Sequence, residues 1–222
     1  MGCRVYLIRH GETVWNRESR FQGRSDIPLS PTGVEQAGAL GKRLKNHCFT
    51  GFFSSSLSRA RDTAGIIALP HQKTVQVVPG LEEIDFGHWE GLTAREIRER
   101  FGDELKAWWA NPLHTRIPGG ETLAELAERA CAALKGIVEG NPDGQVAVVA
   151  HGGTIRTIVG TVIGLDLNQY WRLRQENASL TVMEFYGWEK GVLMLYNDVS
   201  HLAPGLIPGA LSKGGRMNVP EV

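Results

Sequence analysis

Cysteine is scarce in this sequence, and its arrangement argues against two kinds of stabilised domain. The chain of 222 residues has three cysteines, Cys3, Cys48 and Cys131, which lie far apart and form no C-x-x-C pair. An odd and dispersed set of this kind argues against a disulfide framework and against a structural zinc site. The sequence therefore predicts reduced thiols and a cytoplasmic protein.

Two other features are missing, an excess of one charge and a long apolar run. Lysine and arginine together number 24, and aspartate and glutamate together number 24, so the formal net charge is zero. Nothing at the level of the whole chain indicates nucleic-acid binding. The apolar run that follows Arg4 is too short for a signal-peptide core or a membrane span. We expect neither a nucleic-acid partner nor a membrane partner, and any positive field should be local.

Short apolar runs alternate with helical patterns along most of the chain. Residues 3–8, 51–54, 75–78 and 145–150 have the pattern of buried strands, and residues 31–45, 55–69, 121–138 and 154–163 that of amphipathic helices. Residues 180–186 and 192–196 flank a turn and predict an antiparallel hairpin at the edge. This order predicts an α/β three-layer sandwich, with a mostly parallel central sheet, an antiparallel edge and helices on both faces.

Two segments differ from this alternation. Residues 93–111 are rich in charged helix formers, are interrupted near Gly102 and end with Trp108 and Trp109, which predicts two short helices forming a small cap at about residues 92–120. The single domain is expected over residues 1–202. Residues 203–222 are rich in Gly and Pro without periodicity, and this composition predicts a C-terminal tail. Such a tail could cover the pocket or reach a second subunit, so a homodimer stays open.

Positively charged and titratable side chains follow three of the predicted strands. Arg9 and His10 follow the first strand, Arg59 follows the second, and His151 follows the strand at residues 145–150. Ligands of open α/β sheets bind beyond the carboxyl ends of the strands. Two arginines and two histidines at this edge therefore predict an anion pocket.

Glycines near these residues favour the same conclusion. Gly11, Gly152 and Gly153 let backbone amides approach a bound oxyanion, and the helix that follows His151 directs its positive end towards the same place. A phosphate group is the anion that this arrangement predicts.

The other histidines have a plainer interpretation. An isolated histidine is usually a packed or surface residue, and we interpret His47, His71 and His114 in this way. Arg59 alone could likewise be a surface residue paired with Asp62, but its position after a strand favours function. A metal site is the remaining alternative for the titratable groups, although no H-E-x-x-H or comparable spacing occurs. The residues that could in principle meet there are His10, Asp85, His88, His151 and His201.

Several motifs in the sequence resemble those of one family. They comprise Leu7-Ile8-Arg9-His10-Gly11-Glu12-Thr13 followed by Asn16, Phe21-Gln22-Gly23, Asp26-Ile27-Pro28-Leu29-Ser30, Ser55-Ser56-Leu57-Ser58-Arg59-Ala60, Leu81-Glu82-Glu83-Ile84-Asp85-Phe86-Gly87, Trp89-Glu90-Gly91 and Val149-Ala150-His151-Gly152-Gly153. The chain resembles the histidine phosphatase superfamily, also called phosphoglycerate-mutase-like. The resemblance extends over nearly the whole chain up to His201.

The resemblance implies a role for each site residue. His10 would be the nucleophile, Glu83 the proton donor, and no metal or cofactor would be needed. The phosphoryl oxygens would be bound by Arg9, Arg59 and His151, and the substrate further by Asn16, Gln22 and Gly152. Spacing alone does not distinguish the acids Glu82, Glu83, Asp85 and Glu90, so the choice of Glu83 rests on the resemblance.

The chemistry sets the protonation states that we expect. His10 must attack through an unprotonated nitrogen, and a hydrogen bond from its other nitrogen to a backbone carbonyl could fix that tautomer. We expect His151 to be protonated, and Glu83 to be protonated before it gives a proton to the leaving group.

The superfamily contains phosphatases and mutases, and the sequence favours a phosphatase. The run Pro118-Gly119-Gly120-Glu121-Thr122 resembles that of α-ribazole phosphatases, broad-specificity phosphatases and metal-independent phosphoserine phosphatases. Residues 93–118 are shorter than the basic insertion of cofactor-dependent phosphoglycerate mutases and differ from it. We expect hydrolysis of a small phosphorylated metabolite through a phosphohistidine.

The substrate and two alternative functions stay open. Trp108 and Trp109 suit an aromatic substrate such as α-ribazole 5′-phosphate, although tryptophans of a cap helix more often serve packing. The first alternative function is a cofactor-dependent phosphoglycerate mutase. The second is a non-catalytic protein that binds a phosphorylated ligand, although the loss of a core residue that usually marks such proteins is absent.

Overall fold

A six-stranded mixed sheet forms the centre of the protein, whose computed structural model describes residues 2–207. Its strands are β1 (Cys3–Arg9), β2 (Gly51–Ser54), β3 (Val75–Val77), β4 (Gln145–Ala150), β5 (Leu180–Phe185) and β6 (Gly191–Asp198). They lie in the order β3-β2-β4-β1-β5-β6, and the first four are parallel. Strand β5 runs antiparallel to β1, and β6 runs antiparallel to β5. The predicted mostly parallel sheet with an antiparallel edge is confirmed.

Helices cover both faces of this sheet. They are α1 (Val14–Arg17), α2 (Pro31–Leu44), α3 (Ser58–Ala68), α4 (Ala94–Arg100), α5 (Gly102–Ala110), α6 (Leu123–Glu139) and α7 (Gly152–Val162). Successive side chains of a strand point to opposite faces. Val5 and Leu7 therefore pack with α6 and α7, whereas Tyr6 and Ile8 pack with α2 and α3. These two apolar clusters make the three-layer sandwich that the sequence predicts.

Local sequence signals define where several helices begin. Ser30 caps α2, its hydroxyl accepting from the backbone N–H of Gly33 at 3.1 Å, and Pro31 takes the first helical position. Helix α7 begins at Gly152, two residues before the predicted start, so that His151 is its N-cap. Helix α3 begins at Ser58 rather than at residue 55. The residue before each helix, His151 or Leu57, has extended backbone.

The two helices predicted at residues 93–111 are present as α4 and α5. Their buried side chains belong to the same apolar cluster as strand β1 and helix α6. Trp108 is only 1% exposed, and its ring packs edge-on against Trp89 at 5.8 Å between centroids. The interpretation of Trp108 as a contact for an aromatic substrate is therefore wrong, because its ring is buried against other side chains of the core. The packing interpretation is the correct one.

A buried amide links the C-terminal segment to the loop after β1. Gln36 of α2 is fully buried, and its Nε2 donates to the carbonyl of Leu206 at 2.8 Å. Its Oε1 accepts from the backbone N–H of Glu12 at 2.8 Å.

Of the predicted tail at residues 203–222, residues 208–222 lie outside the described residues. Between residues 2 and 207, no helix is both long enough and apolar enough to cross a membrane.

Candidate active site

Three adjacent strand ends bring together the positive residues that the sequence singles out. Because β2, β4 and β1 are neighbours in the sheet, Arg59, His151 and His10 meet at one edge, with Arg9 beside His10. His10 is 3% exposed, and Arg59 and His151 are fully buried. The imidazole rings of the two histidines lie 5.1 Å apart between centroids. The predicted clustering is present, and the clustered side chains are buried rather than on an open surface.

His10 has the tautomer that a nucleophile requires. Its Nδ1 lies 2.7 Å from the carbonyl oxygen of Gly11, so Nδ1 carries the proton and donates it to that carbonyl. Burial lowers the pKa of His10 well below its ordinary value of 6.5, and the nearby charges of Arg59 and Arg9 lower it further. His10 is therefore neutral, and its Nε2 has a free lone pair.

His151 differs from the expectation of a protonated ring. Burial lowers its pKa well below 6.5, and the positive charges of Arg59 and Arg9 act in the same direction. The expectation is wrong for the ligand-free site, because a further positive charge is disfavoured there. The Nε2 of His151 lies 2.8 Å from the hydroxyl of Ser55, and its buried Nδ1 has no hydrogen-bond partner within residues 2–207.

The two arginines are buried and are bonded to backbone carbonyls. Arg59 donates to the carbonyls of Ser25 and Gly23, each at 2.7 Å, and Arg9 donates to the carbonyl of Gln175 at 2.5 Å. Within the described part of the chain, the Nε of each guanidinium has no partner, and neither side chain makes a hydrogen bond to a carboxylate. Burial lowers the pKa of Arg59 to about 10, so it keeps its charge at neutral pH. The pocket therefore holds two positive charges for which an anion would compensate.

Glu83 lies at the N-terminus of helix α7. Its carboxylate accepts from the backbone N–H groups of Gly153 at 3.0 Å and Thr154 at 3.1 Å, and also from Ile84 at 3.0 Å. The positive end of a helix favours an anion at this position. A side chain on Gly153 would place its Cβ 2.4 Å from Glu83 Oε1, so the carboxylate would have to shift from this position.

The structure distinguishes Glu83 from the acids that spacing could not separate. Glu82 accepts from the hydroxyl of Ser56 at 2.7 Å, and Glu90 accepts from the hydroxyl of Ser25. Asp85 accepts from the backbone N–H of Gly87 at 2.9 Å. Of these four carboxylates, only that of Glu83 accepts hydrogen bonds from the helix that follows His151.

Arg129 of α6 holds the loop that carries Glu83, a role that sequence patterns did not reveal. Its guanidinium donates to the backbone carbonyls of Gly80, Glu82 and Glu83, each at 2.8 Å. It also donates twice to the carboxylate of Glu121, at 2.9 and 2.8 Å. All five N–H donors of the side chain are thus used. These hydrogen bonds fix the backbone of residues 80–83, which carries the Glu83 side chain.

Asn16, which the resemblance implies to bind substrate, is oriented by its neighbours. Its Oδ1 accepts from the backbone N–H of Thr13 and from Nδ2 of Asn177, both at 3.1 Å. The Nδ2 of Asn16 is then the group available for a ligand. Asn177, which the sequence did not single out, also donates to the carbonyl of His10 at 3.1 Å.

The other two residues expected to bind substrate are Gln22 and Gly152. Gln22 is 7% exposed, and its Oε1 accepts from the hydroxyl of Thr13 at 2.9 Å. Gly152 packs against Arg9, where an added Cβ would lie 3.3 Å from the guanidinium Nε. Its lack of a side chain therefore leaves room for that guanidinium.

The residues of the alternative metal site do not converge. The Nε2 of His201 donates to the carbonyl of Ala178 at 3.0 Å, and its other nitrogen lies 3.3 Å from Arg43 of α2. Within residues 2–207, no group of three or more His, Cys, Asp or Glu side chains is arranged to hold a metal ion. The three cysteines, all within that range, are unpaired.

Comparisons with known proteins identify the class to which this site belongs. Residues 5–199 match the family model described as histidine phosphatase superfamily (branch 1). The chain therefore belongs to the histidine phosphatase superfamily. The family resemblance of the sequence and its predicted fold class are both confirmed.

Individual relatives carry different names. The chain is 36% identical over 214 residues to a protein of Salmonella choleraesuis (strain SC-B67) named probable phosphoglycerate mutase GpmB, covering 91% of this chain and 96% of that one. It is similar to a mutant phosphoserine phosphatase of Entamoeba histolytica, solved in complex with phosphoserine, at 29% identity and a TM-score of 0.82, covering 90% and 100% of the two chains. It is also similar to α-ribazole phosphatase of Shigella flexneri, at 26% identity and a TM-score of 0.79, covering 88% and 96%.

Proposed function

We propose that this protein hydrolyses a small phosphorylated metabolite through a phosphohistidine formed on His10. The observation that carries the proposal is the hydrogen bond from His10 Nδ1 to the carbonyl of Gly11. This bond leaves the Nε2 lone pair as a nucleophile, between the buried charges of Arg9 and Arg59. A nucleophile with a fixed tautomer beside preorganised cations is what phosphoryl transfer requires.

The proposed reaction has two displacements at phosphorus. In the first, a bond forms between His10 Nε2 and phosphorus, the ester P–O bond breaks, and Glu83 gives a proton to the leaving alkoxide. In the second, water attacks phosphorus, the N–P bond breaks, and the Glu83 carboxylate takes the proton of that water. Arg9 and Arg59 stabilise the charge on the transferring oxygens.

We favour hydrolysis over mutase activity, and in residues 93–118 two of the basic residues that could bind a substrate carboxylate are already paired. Arg95 lies 3.5 Å from Glu99 on an exposed helix face. Arg116 donates to Glu125 and to the carbonyl of Gly120. Neither is available to bind the carboxylate of a glycerate. The name of the Salmonella relative keeps mutase activity as the second candidate.

The substrate class is proposed from likeness and charge. α-Ribazole 5′-phosphate stays the named candidate, supported by the similarity to the Shigella flexneri enzyme and not by Trp108. Because Arg9 and Arg59 supply the positive charge, we propose that no metal is required. Unpaired cysteines accord with a cytoplasmic location, which we retain as part of the proposal.

Trapping the covalent intermediate tests the proposal. The protein is mixed with a ³²P-labelled monoester, quenched within milliseconds and digested, and we expect acid-labile, alkali-stable label on the peptide that contains His10. His10→Ala should bind inorganic phosphate yet lose both label and turnover. Full turnover by that variant would refute the mechanism.

The same preparation separates the alternative functions. We expect release of inorganic phosphate from a panel that includes α-ribazole 5′-phosphate, phosphoserine and 3-phosphoglycerate, and we expect it to survive exhaustive chelation. Interconversion of phosphoglycerates primed by a bisphosphorylated glycerate, without phosphate release, would establish the mutase instead. Tight phosphate binding with no turnover of any substrate would indicate a binding protein.

A further inference from the structure

Ser55 lies directly behind His151 in the interior of the protein. It follows strand β2, is fully buried, and its Oγ lies 2.8 Å from Nε2 of His151. The same Oγ accepts from the backbone N–H of Leu57 at 3.3 Å. No role follows for Ser55 from the sequence patterns, which placed it only within the motif around Arg59.

The position of the hydroxyl proton decides the tautomer of His151. A serine hydroxyl has one proton to donate, and Leu57 already supplies a donor to its oxygen. If His151 Nε2 carried a proton, the oxygen would accept twice, and the Ser55 proton would have no acceptor among the described residues. A buried polar hydrogen without an acceptor costs free energy. With the Ser55 proton directed at Nε2, of these groups only the Nδ1–H of His151 lacks a partner among residues 2–207, whereas the other tautomer would leave both the Ser55 proton and the Nδ1 lone pair unpaired.

We propose that Ser55 is a positioning residue that holds neutral His151 in the Nδ1–H tautomer, so that the uncharged ring donates a hydrogen bond to a phosphoryl oxygen. The identity of that acceptor rests on the proposed function. The tautomer itself does not, because it follows from the hydrogen bonds of the free protein.

The two active-site histidines then use the same tautomer for opposite purposes. In His10 the Nδ1–H donates to the carbonyl of Gly11, and the unpaired Nε2 has a lone pair that can attack. In His151 the Nε2 accepts the hydrogen bond from Ser55, and the unpaired Nδ1–H is a donor. This arrangement supplies a donor without adding a third positive charge next to Arg9 and Arg59. It therefore agrees with a ring whose pKa is held well below 6.5 by burial and by the neighbouring arginines.

The wild-type protein alone provides the first test. The ¹⁵N shifts of ¹⁵N-histidine-labelled protein at pH 8 distinguish Nδ1–H, Nε2–H and doubly protonated rings, and His151→Gln identifies the His151 signals. We expect a neutral ring with the proton on Nδ1. A ring with its proton on Nε2, or a doubly protonated ring, would overturn the proposal.

Two neighbouring serines provide a matched pair of variants for the second test. Ser54 is also fully buried, and its Oγ has no partner within residues 2–207, so Ser54→Ala removes a hydroxyl without touching His151. Ser55→Ala removes the hydroxyl that orients the ring. We expect Ser55→Ala to weaken the binding of inorganic phosphate by about tenfold, roughly 1.4 kcal/mol, because a preorganised donor is lost.

The measurements are calorimetric Kd values for inorganic phosphate and the ¹⁵N spectra of both variants. We expect Ser54→Ala to keep the wild-type Kd and the Nδ1–H signal of His151, and Ser55→Ala to change both. An unchanged Kd and an unchanged tautomer in Ser55→Ala would refute the role of Ser55. Phosphate binding needs no turnover, so this result is independent of whether His10 becomes phosphorylated. If Ser55→Ala does not fold, the wild-type tautomer decides.

Discussion

His10 and His151 make the stability of the protein depend on pH. Burial and the charges of Arg59 and Arg9 hold the pKa of both rings well below 6.5 in the folded state. Below pH 6.5 the unfolded chain therefore binds more protons than the folded protein does. We expect the free energy of unfolding to fall as the pH decreases below 6.5, and these histidines to contribute nothing to its slope above about pH 7.5.

Replacing either histidine by asparagine tests this origin. In urea unfolding between about pH 5 and 8, each replacement should reduce the slope below pH 6.5 by up to about 1.4 kcal/mol per pH unit. The part of the curve above about pH 7.5 should stay parallel to that of the wild type. If the variants keep the full slope at acidic pH, other groups must account for the acid destabilisation.

Glu83 should matter most for substrates with poor leaving groups. Glu83→Gln cannot donate a carboxyl proton, so we expect hydrolysis of alkyl phosphates to fall by about 10²- to 10⁴-fold. Aryl phosphates, whose leaving groups hardly need a proton, should lose less than about tenfold. Glu82→Gln is the matched control, since the carboxylate of Glu82 bonds to Ser56 and not to α7, and it should affect both substrate classes equally. Equal losses in Glu83→Gln would identify a different acid.

At the scale of elements, the attachment of helix α6 to the loop at residues 80–83 should dominate the stability of the site. Arg129→Met leaves the carboxylate of Glu121, which is 15% exposed, without its bidentate partner and leaves the carbonyls of Gly80 and Glu83 without this donor, whereas the carbonyl of Glu82 still accepts from the hydroxyl of Thr154. We expect a loss of roughly 2–4 kcal/mol in the free energy of unfolding. Activity on alkyl phosphates should fall further than stability alone explains, because the backbone of Glu83 is released.

Arg116 supplies the control for this substitution. It pairs with Glu125 of α6, but its side chain is 58% exposed. Arg116→Met should therefore cost less than about 1 kcal/mol. Denaturant unfolding of both variants measures the difference. Equal losses in the free energy of unfolding would contradict a special role of Arg129.

Local patterns predicted the elements, and contacts between distant segments determined what those patterns missed. The strand β4 and the break between α4 and α5 could be predicted because apolar runs and a glycine are local signals. The clustering of Arg59 and His151 followed from the rule for strand ends. Ser55 and Arg129 could not be predicted, because their roles exist only once β2 meets β4 and α6 meets the loop at residues 80–83. The neutral state of His151 depends in the same way on its burial in the folded protein.

At the scale of the whole molecule, two helices carry glycines that the fold does not need. Gly65 of α3 and Gly136 of α6 are exposed mid-helix positions where an added Cβ would meet no atom within 4 Å. Alanine at both should raise the free energy of unfolding by about 1–2 kcal/mol in total. Thermal unfolding should show a Tm higher by roughly 2–8 °C.

A third glycine marks the opposite case. At Gly11 an added Cβ would lie 2.4 Å from the carbonyl oxygen of Gly33, and neither backbone segment can move without displacing His10. Gly11→Ala should therefore lower the Tm and abolish phosphate binding, whereas the double variant at Gly65 and Gly136 should retain it. A stabilised Gly11→Ala with normal phosphate binding would show that this close approach is dispensable.

The strand order also sets the sequence of events by which the chain can fold. Strand β1 is near the N-terminus, yet both of its partners, β4 and β5, come from the second half of the chain, and Arg4 pairs with Gln145. Strand β2 reaches β1 only through β4. A growing chain on the ribosome must therefore keep the apolar β1 unpaired until β4 has emerged. Fragments that end before residue 145 cannot assemble an anion pocket, and closing so long a loop makes slow folding the expected behaviour.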